Sequence, residues 1–342
     1  MSDGIAAATG QRAGNGDVSR DTRSRAVRLA AFTAECFPPA PQLLLVAFIW
    51  AAGMTMAVTL WQTSSAGALA TSNVDPVRVA LTLVGSLLFM FHLRVFDDVK
   101  DADHDRIHEM GRPIPRGLVS EGEVNALALL LLAVEAVIFA AVGPLALVAW
   151  AISAVFSVLM RVEFFVGEWL ERHVLTYAIS HMVIMGLLLA TIVGAGVDAL
   201  LGNANATIGS LFSDRWLVVA YVAAFLIGVG FELGRKFERY HAAHGTAAYL
   251  LWIACPTVGA GMFTVMGAAT YAGWVAPALA IITVVALVAL TVVMVQRPRV
   301  TNAAGAAEFG DRHRGLVDAL PGVTGLLVYV VLAVAGVMAV NW

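Results

Sequence analysis

The chain has 342 residues, of which 60% are hydrophobic and only 13% are charged, and its mean hydropathy is +0.82. A soluble domain is about 45–50% apolar and about 25% charged, so this composition excludes both a soluble enzyme and a disordered chain. It predicts an integral membrane protein in spanning helices, and neither the net charge of −3 nor any basic stripe indicates a nucleic-acid partner.

Residues 1–35 are polar, lack an apolar run or a signal peptide, and are predicted to be a disordered tail. Residues 36–342 are predicted to form one all-α, polytopic membrane domain. Its apolar runs are continuous and do not alternate at period two, which excludes a barrel. Nine spans are predicted, at 43–61, 77–96, 124–142, 144–160, 174–197, 216–231, 247–267, 275–295 and 320–340.

The cations of the chain indicate the orientation of these spans. Nineteen of the 21 Lys and Arg residues fall in the tail and in loops on the same side as the tail. Only Arg78 and Arg215 fall on the other side. Because cytoplasmic loops carry the excess of positive charge, we expect a multi-pass cell-membrane protein with a cytoplasmic N-terminus. The arginines of the tail are expected to rest on anionic membrane lipid.

An acidic stretch follows the second predicted span. Asp97, Asp101 and Asp105 are spaced by four residues, and Asp98 precedes Asp101 by three. On a helix this spacing places the carboxylates on one ridge, where they repel one another. Mg²⁺ offsets such repulsion, prefers oxygen ligands, and completes its shell with water and substrate phosphate. We therefore predict that these four aspartates are catalytic metal ligands in a metal-bridged diphosphate site.

Two other interpretations of this stretch stay open. The acidic run is also compatible with a solvated helix end. A zinc site through His104 and His108, which are four residues apart, is the other alternative, although carboxylates dominate the setting.

Basic residues flank the acidic stretch. The sequence continues Arg112-Pro113-Ile114-Pro115-Arg116-Gly117, in which the prolines and the glycine predict a loop. Arg112 and Arg116, with Arg94 just before the acids, are candidates to bind phosphate oxygens. Ser120 and Glu123 have the spacing of a capping box and predict the start of the third span.

These residues resemble a known family signature. Asp97-Asp98-x-x-Asp101-x-x-x-Asp105, followed by Arg112-Pro113-Ile114-Pro115 and Gly117, resembles the first motif of the UbiA-type intramembrane prenyltransferases. The resemblance implies nine helices around a central apolar cavity, Mg²⁺ as cofactor and a prenyl diphosphate as substrate. The family usually has Asn at the position of Asp97, and the detailed match covers about 30 residues of the sequence.

The family has a second aspartate motif after its sixth helix, where this chain departs from the pattern. It has Glu232, Arg235 and Lys236, which share one helical face at spacings of three and four. One interpretation is that Glu232 holds a second metal while the two cations contact the diphosphate. The other is that the site is degenerate and that activity is altered or lost.

Polar residues also occur at the fifth predicted span and in the segment before it. Tyr177 and His181 lie four residues apart inside the span, and intramembrane polar residues are functional candidates by default, so both are candidates for substrate binding. A hydrogen bond between helices is the alternative for His181. Residues 161–173 alternate acidic and aromatic side chains and predict an interfacial helix at the headgroup level.

With this resemblance, the sequence predicts an enzyme that ionises an allylic prenyl diphosphate and transfers the prenyl group. A lipophilic acceptor, expected to be aromatic, is implied by the resemblance alone. A UbiA-type terpene cyclase, in which the chain's own double bonds capture the cation, would use the same residues. A non-catalytic transporter predicts acids deep in several spans, whereas here the acids gather at one face of the predicted bundle. A catalytically inactive scaffold is the remaining alternative, because the second motif lacks the usual run of aspartates.

Overall fold

The computed structural model describes residues 21–64, 74–201, 206–236, 245–271, 273–296 and 320–335, and residues 240, 242 and 338 besides. These residues form helices and connecting turns, and no strand occurs among them. The helices are α1 (Arg25–Cys36), α2 (Pro39–Ser64), α3 (Pro76–Lys100), α4 (Ala102–His108), α5 (Glu121–Val142), α6 (Pro144–Arg161), α7 (Gly167–Arg172), α8 (Val174–Leu201), α9 (Ile208–Ser213), α10 (Arg215–Arg235), α11 (Thr246–Thr270), α12 (Val275–Gln296) and α13 (Leu320–Ala335).

The polytopic all-α class is confirmed. Seven of the described helices, α3, α5, α6, α8, α10, α11 and α12, are long and apolar enough to cross a membrane. Two shorter apolar helices, Gln42–Val58 within α2 and Leu320–Ala335, lie where the first and ninth spans are predicted. The count of nine spans stays a prediction.

Helix α8 is the central element of the bundle. It contacts α2, α3, α5, α6 and α10, and 78% of its apolar span is buried, compared with 22% for α12. Its contact with α10 is very close, because a Cβ atom added at Gly186 would lie 2.9 Å from the carbonyl oxygen of Tyr221. The burial of α8 fixes its first turns, and hence Tyr177, against the ends of α3 and α10.

The prediction of a disordered tail is wrong for its last third, where α1 forms. Ser24 caps this helix, and Phe32 is fully buried. Arg28 forms a buried ion pair with Glu123 at the start of α5, and Arg116 Nη2 lies 2.5 Å from Glu35 Oε1. These long-range contacts with the loop before α5 give α1 the partners that composition alone does not reveal. Residues 1–20 lie outside the described residues.

Two local predictions have different outcomes. The capping box is confirmed, because Ser120 and Glu123 exchange both of its hydrogen bonds at the start of α5. The single interfacial helix over 161–173 is wrong. Glu163, Phe164 and Phe165 all have positive φ angles, which breaks the segment into a tight left-handed turn followed by α7. Phe164 packs edge-on against Phe156 of α6 and His181 of α8, which holds the turn in place.

Candidate active site

The polar ends of several helices meet around one cavity. The C-terminal ends of α3, α6 and α10 contribute to a chamber of about 400 Å³. Its polar rim is formed by Arg94, Asp97, Arg161, Glu232 and Arg235. Its apolar wall includes Phe37, Leu45, Met90, Phe96, Met182, Met185 and Phe231. A charged mouth over an apolar chamber suits a ligand with an anionic head and a hydrocarbon tail.

A second and more polar cavity of about 540 Å³ adjoins this chamber at Arg161. It is lined by groups of both charges, namely Lys100, Asp101, Asp103, His104, Glu163, Glu171 and Lys236, together with Tyr177. The Arg161 guanidinium lies 4.9 Å from the centroid of the Phe96 ring, at the boundary between the two. The site is therefore divided into a polar outer compartment and a largely apolar inner one.

Two aspartates of the acidic stretch are buried against arginines. Arg94 Nη2 donates to Asp98 Oδ1 at 2.8 Å, and Arg112 Nη1 donates to the same oxygen at 3.2 Å. Arg112 Nε also lies 3.7 Å from Asp105 Oδ2 and donates to Glu109 Oε2 at 2.9 Å. Burial raises the pKa of the Asp105 carboxyl, and the charge of Arg112 opposes this rise. Asp98 and Asp105 thus hold the loop containing Arg112 against α3 and α4.

The other two aspartates are half exposed at the mouth. The side chains of Asp97 and Asp101 are 41% and 49% exposed, and one oxygen of each lies 3.9 Å from Lys100 Nζ. Asp101 is also the residue at which α3 ends and α4 begins. Lys100 donates to the Tyr177 hydroxyl at 2.6 Å, so the two carboxylates share a cation that is engaged elsewhere. Their remaining oxygens are accessible from the mouth.

On α10 the arrangement is different, because one carboxylate meets two cations. Glu232 is only 2% exposed, and Arg235 Nε donates to its Oε2 at 3.1 Å. Lys236 Nζ lies 3.0 Å from Oε1 of the same residue. Both cations therefore lie against one carboxylate, whose Oε1 is buried without a hydrogen bond, and the end of α10 presents an excess of positive charge.

Tyr177 connects the two charged helix ends. Lys236 Nζ lies 4.2 Å from the centroid of its ring, and Lys100 bonds its hydroxyl. One turn later, His181 stacks on the same ring at 3.9 Å and its Nδ1 lies 2.9 Å from the Tyr177 carbonyl oxygen. The predicted pair thus lies at the site, with Tyr177 between the lysines and His181 buried beneath it.

With this geometry established, the fold can be compared with known proteins. No family model matches the sequence, and no curated protein matches it. Among solved structures, a UbiA homologue from Aeropyrum pernix K1 superposes with a TM-score of 0.57 at 17% identity, over 86% of this chain and 97% of the other. A UbiA homologue from Archaeoglobus fulgidus, bound to GPP and Mg²⁺, gives 0.54 at 14% identity over 88% and 99%. A digeranylgeranylglyceryl phosphate synthase gives 0.56 at 14% identity over 91% and 99%.

The chain has the UbiA fold. This confirms the resemblance that the motif around Asp97 and Asp101 carries, while the count of nine helices stays a prediction. At 14–17% identity the likeness establishes the fold alone.

Seven of the predicted site residues line the two cavities, namely Arg94, Asp97, Asp101, Tyr177, Glu232, Arg235 and Lys236. Four others lie beside them, since Asp98 pairs with Arg94, Arg112 pairs with Asp98 and Asp105, and His181 stacks on Tyr177. Arg116 instead donates to the Gly111 carbonyl at 2.8 Å and pairs with Glu35 of α1. Sequence reasoning missed Lys100 and Arg161, which it counted only as orienting charges. The position of Lys100 between Asp97 and Asp101 was the available signal.

The donor set suits a cation that takes few protein ligands. Within the described residues, no three Asp, Glu, His or Cys side chains come close enough to form a ready metal cluster. Asp98 Oδ2, however, is buried without a hydrogen-bond partner, and Asp97 and Asp101 have accessible oxygens. Because Mg²⁺ takes one or two carboxylates with water and phosphate, these residues fit it. Zinc binding through His104 and His108 stays a prediction, since the side chain of His108 is not among those the structure describes.

Proposed function

We propose that the protein is a Mg²⁺-dependent intramembrane prenyltransferase, which ionises an allylic prenyl diphosphate and transfers the prenyl group to a lipophilic acceptor. The observation that carries the proposal is the charged mouth, with both carboxylates and cations, directly above an apolar chamber. A solved structure with the same fold is bound to GPP and Mg²⁺, and another is bound to DMAPP and Mg²⁺. Their ligands combine the chemistry of the two compartments.

The acidic stretch is proposed to hold the metal. Asp97 and Asp101 offer accessible oxygens, and Asp98 and Asp105 complete the predicted set from the buried side. Mg²⁺ bound there supplies Lewis-acid stabilisation of the negative charge that develops on the leaving diphosphate. Asp98 and Asp105 also position Arg112. The acidic stretch is therefore proposed both to bind the metal and to fix the loop that contains Arg112.

The cations of the mouth are proposed to bind the diphosphate directly. Arg235 and Lys236 are held by Glu232, Arg94 by Asp98, and Lys100 by Tyr177. Groups fixed in this way stabilise charge on a leaving group without reorganising during the reaction. A second metal at Glu232 stays a prediction, because both of its oxygens lie within ion-pair distance of a cation, although Oε1 forms no hydrogen bond.

The inner chamber is proposed to hold the prenyl tail and to exclude water. An allylic cation reacts with water unless its surroundings are dry, and the apolar wall supplies such surroundings. Phe96 and Phe231 line this chamber, and aromatic faces stabilise a cation. The mouth is proposed to face the cytoplasm, with lipid around the helices, and the distribution of Lys and Arg supports this.

The test uses the full chain, purified and reconstituted in lipid nanodiscs. It is incubated with geranyl or geranylgeranyl diphosphate and Mg²⁺, with or without a phenolic acceptor or a glycerol phosphate. We expect diphosphate release that EDTA abolishes, and mass spectrometry should detect a prenylated acceptor. A cyclised hydrocarbon formed without acceptor would instead identify a terpene cyclase. No Mg²⁺-dependent release from either diphosphate would overturn the proposal.

A further inference from the structure

A buried polar network lies deeper in the bundle, behind the wall of the inner chamber. His92 Nδ1 of α3 lies 2.8 Å from Glu135 Oε1 of α5, and His92 Nε2 lies 3.0 Å from Ser157 Oγ of α6. Trp150 Nε1 donates to Glu135 Oε2 at 2.9 Å. His92 and Glu135 are fully buried, and Ser157 is 1% exposed. The expectation that acids gather at one membrane face is therefore wrong for Glu135.

Such a network is costly if its only role is packing. Removing an ionisable pair from water carries a large desolvation penalty, and well-packed apolar residues often stabilise a protein as much or more. Ionisable residues inside membrane spans are therefore functional candidates. Here the order is carboxylate, imidazole and hydroxyl, in which a base is oriented by an acid on one side and touches a hydroxyl on the other.

The hydroxyl end of this network reaches the proposed active site. Ser157 lines the same chamber as Asp97 and Glu232, whereas His92 and Glu135 lie behind it. Ser157 precedes Arg161 at the rim by four residues, which is about 6 Å along the axis of α6. The hydroxyl is therefore about one helical turn deeper than the charged mouth, where the tail and the acceptor would meet.

The hydrogen bonds of Ser157 allow its proton to move. Its hydroxyl donates to the Ala154 carbonyl at 2.8 Å, and its Oγ is also 3.0 Å from His92 Nε2. Since a hydroxyl has one proton, these two acceptors compete for it. With His92 Nδ1 facing Glu135 as donor, Nε2 is the ring nitrogen left to accept from Ser157. The network thus opens to the chamber through one side chain, Ser157.

We propose that Ser157, His92 and Glu135 form the relay that accepts the proton released from the acceptor, an inference that rests on the proposed function. The allylic C–O bond breaks, and its electron pair stays on the diphosphate oxygen. The acceptor's electron pair then forms the new bond to the prenyl carbon. The acceptor's C–H or O–H bond gives its electrons back to the acceptor and its proton to Ser157 Oγ, while the Ser157 proton passes to His92 Nε2. Ser157 touches the acceptor, and His92 and Glu135 act through it.

Loss of the relay should slow prenyl transfer but spare diphosphate release. A general structural defect would instead slow both steps together. The test uses the full chain in nanodiscs with geranyl diphosphate, Mg²⁺ and 1-naphthol, which loses a ring or hydroxyl proton on prenylation. Released diphosphate and prenylated naphthol are measured in parallel. In Ser157→Ala and His92→Gln we expect release to continue while the ratio of prenylated naphthol to diphosphate falls by about 100-fold, since general base catalysis contributes about 10²–10⁴-fold. The double variant should be no worse than either single one, because the residues act as a unit.

Ser153→Ala is the matched control. Ser153 is also 1% exposed on α6, but it bonds Thr191 Oγ1 at 2.8 Å and is not part of the chamber wall. The ratio should be unchanged in this variant. Equal losses of release and transfer in Ser157→Ala and His92→Gln, or an equal shift of the ratio in Ser153→Ala, would overturn the relay. Absence of Mg²⁺-dependent diphosphate release in the wild type would instead overturn the proposed function itself.

Discussion

The two helix ends that face each other across the mouth balance their charges in different ways. At the end of α3, Asp97 and Asp101 share one lysine at 3.9 Å each, and both side chains are about half exposed. At the end of α10, Glu232 is buried and has two cations at 3.0 and 3.1 Å. One side therefore keeps free carboxylate oxygens, and the other keeps free positive charge.

Under the proposed function, this difference would let a site without a second aspartate motif bind a metal diphosphate. A diphosphate with Mg²⁺ offers both a cation and anionic oxygens, so opposite surfaces can each bind one part of it. The α3 side suits the metal, and the α10 side suits the oxygens. Tyr177 lies between them and contacts a lysine from each side.

The largest expected effect comes from removing charge on the α3 side. Asp101→Asn should lower kcat/KM for geranyl diphosphate by about 100- to 1000-fold, because it weakens stabilisation of the leaving group. The Mg²⁺ concentration for half-maximal rate should rise with it. Glu168→Gln is the control, since that side chain is 93% exposed and lines neither cavity. An equal loss in both variants would show that general surface charge, and not a metal site, is responsible.

A smaller effect is expected on the α10 side. Lys236→Met should raise KM for the diphosphate by about 10- to 100-fold, the range for losing a charged hydrogen bond. Its Mg²⁺ requirement should be unchanged. Glu232→Gln keeps both cations, so it should raise KM for the diphosphate less than Lys236→Met does. It should also leave the Mg²⁺ dependence unchanged. If the Mg²⁺ concentration for half-maximal rate shifted several-fold in Glu232→Gln, Glu232 would hold a second metal. The contrast between the α3 side and the α10 side would then disappear.

The two arginines of the loop after α4 should differ. Arg112→Ala should lower kcat/KM by about 10-fold, because Asp98 would keep only one charged partner in a buried place. Arg116→Ala should change kcat/KM less than about 2-fold, since its exposed pair with Glu35 lies away from the mouth and such pairs contribute little. The steady-state rates of the two variants test this, and equal losses would contradict the placement of Arg116.

The smallest expected effect concerns stability alone. Ser120→Ala removes the cap of α5 and should cost about 1 kcal/mol, which lowers the melting temperature by about 2–4 °C. The value of kcat/KM, calculated from the concentration of folded protein, should stay unchanged. A selective loss of activity would show that the start of α5 takes part in the site.

The sequence predicted well what depends on local composition. Apolar runs located the spanning helices, and the spacing of Asp97 and Asp101 located the mouth. It failed where distant contacts decide the outcome. The helix before the first span depends on the buried pair of Arg28 with Glu123, which lie 95 residues apart. The His92–Glu135 pair joins residues 43 apart, although an acid inside a predicted span was a usable signal.

The most direct test of the account is the binding of Mn²⁺, as a paramagnetic substitute for Mg²⁺, measured by electron paramagnetic resonance on the full chain in nanodiscs. We predict that bound Mn²⁺ appears only when geranyl diphosphate is present. It should disappear in the Asp97→Asn/Asp101→Asn variant and persist in Glu232→Gln. Mn²⁺ binding that survives loss of both aspartates but disappears in Glu232→Gln would contradict the division of the mouth into a metal side and a phosphate side.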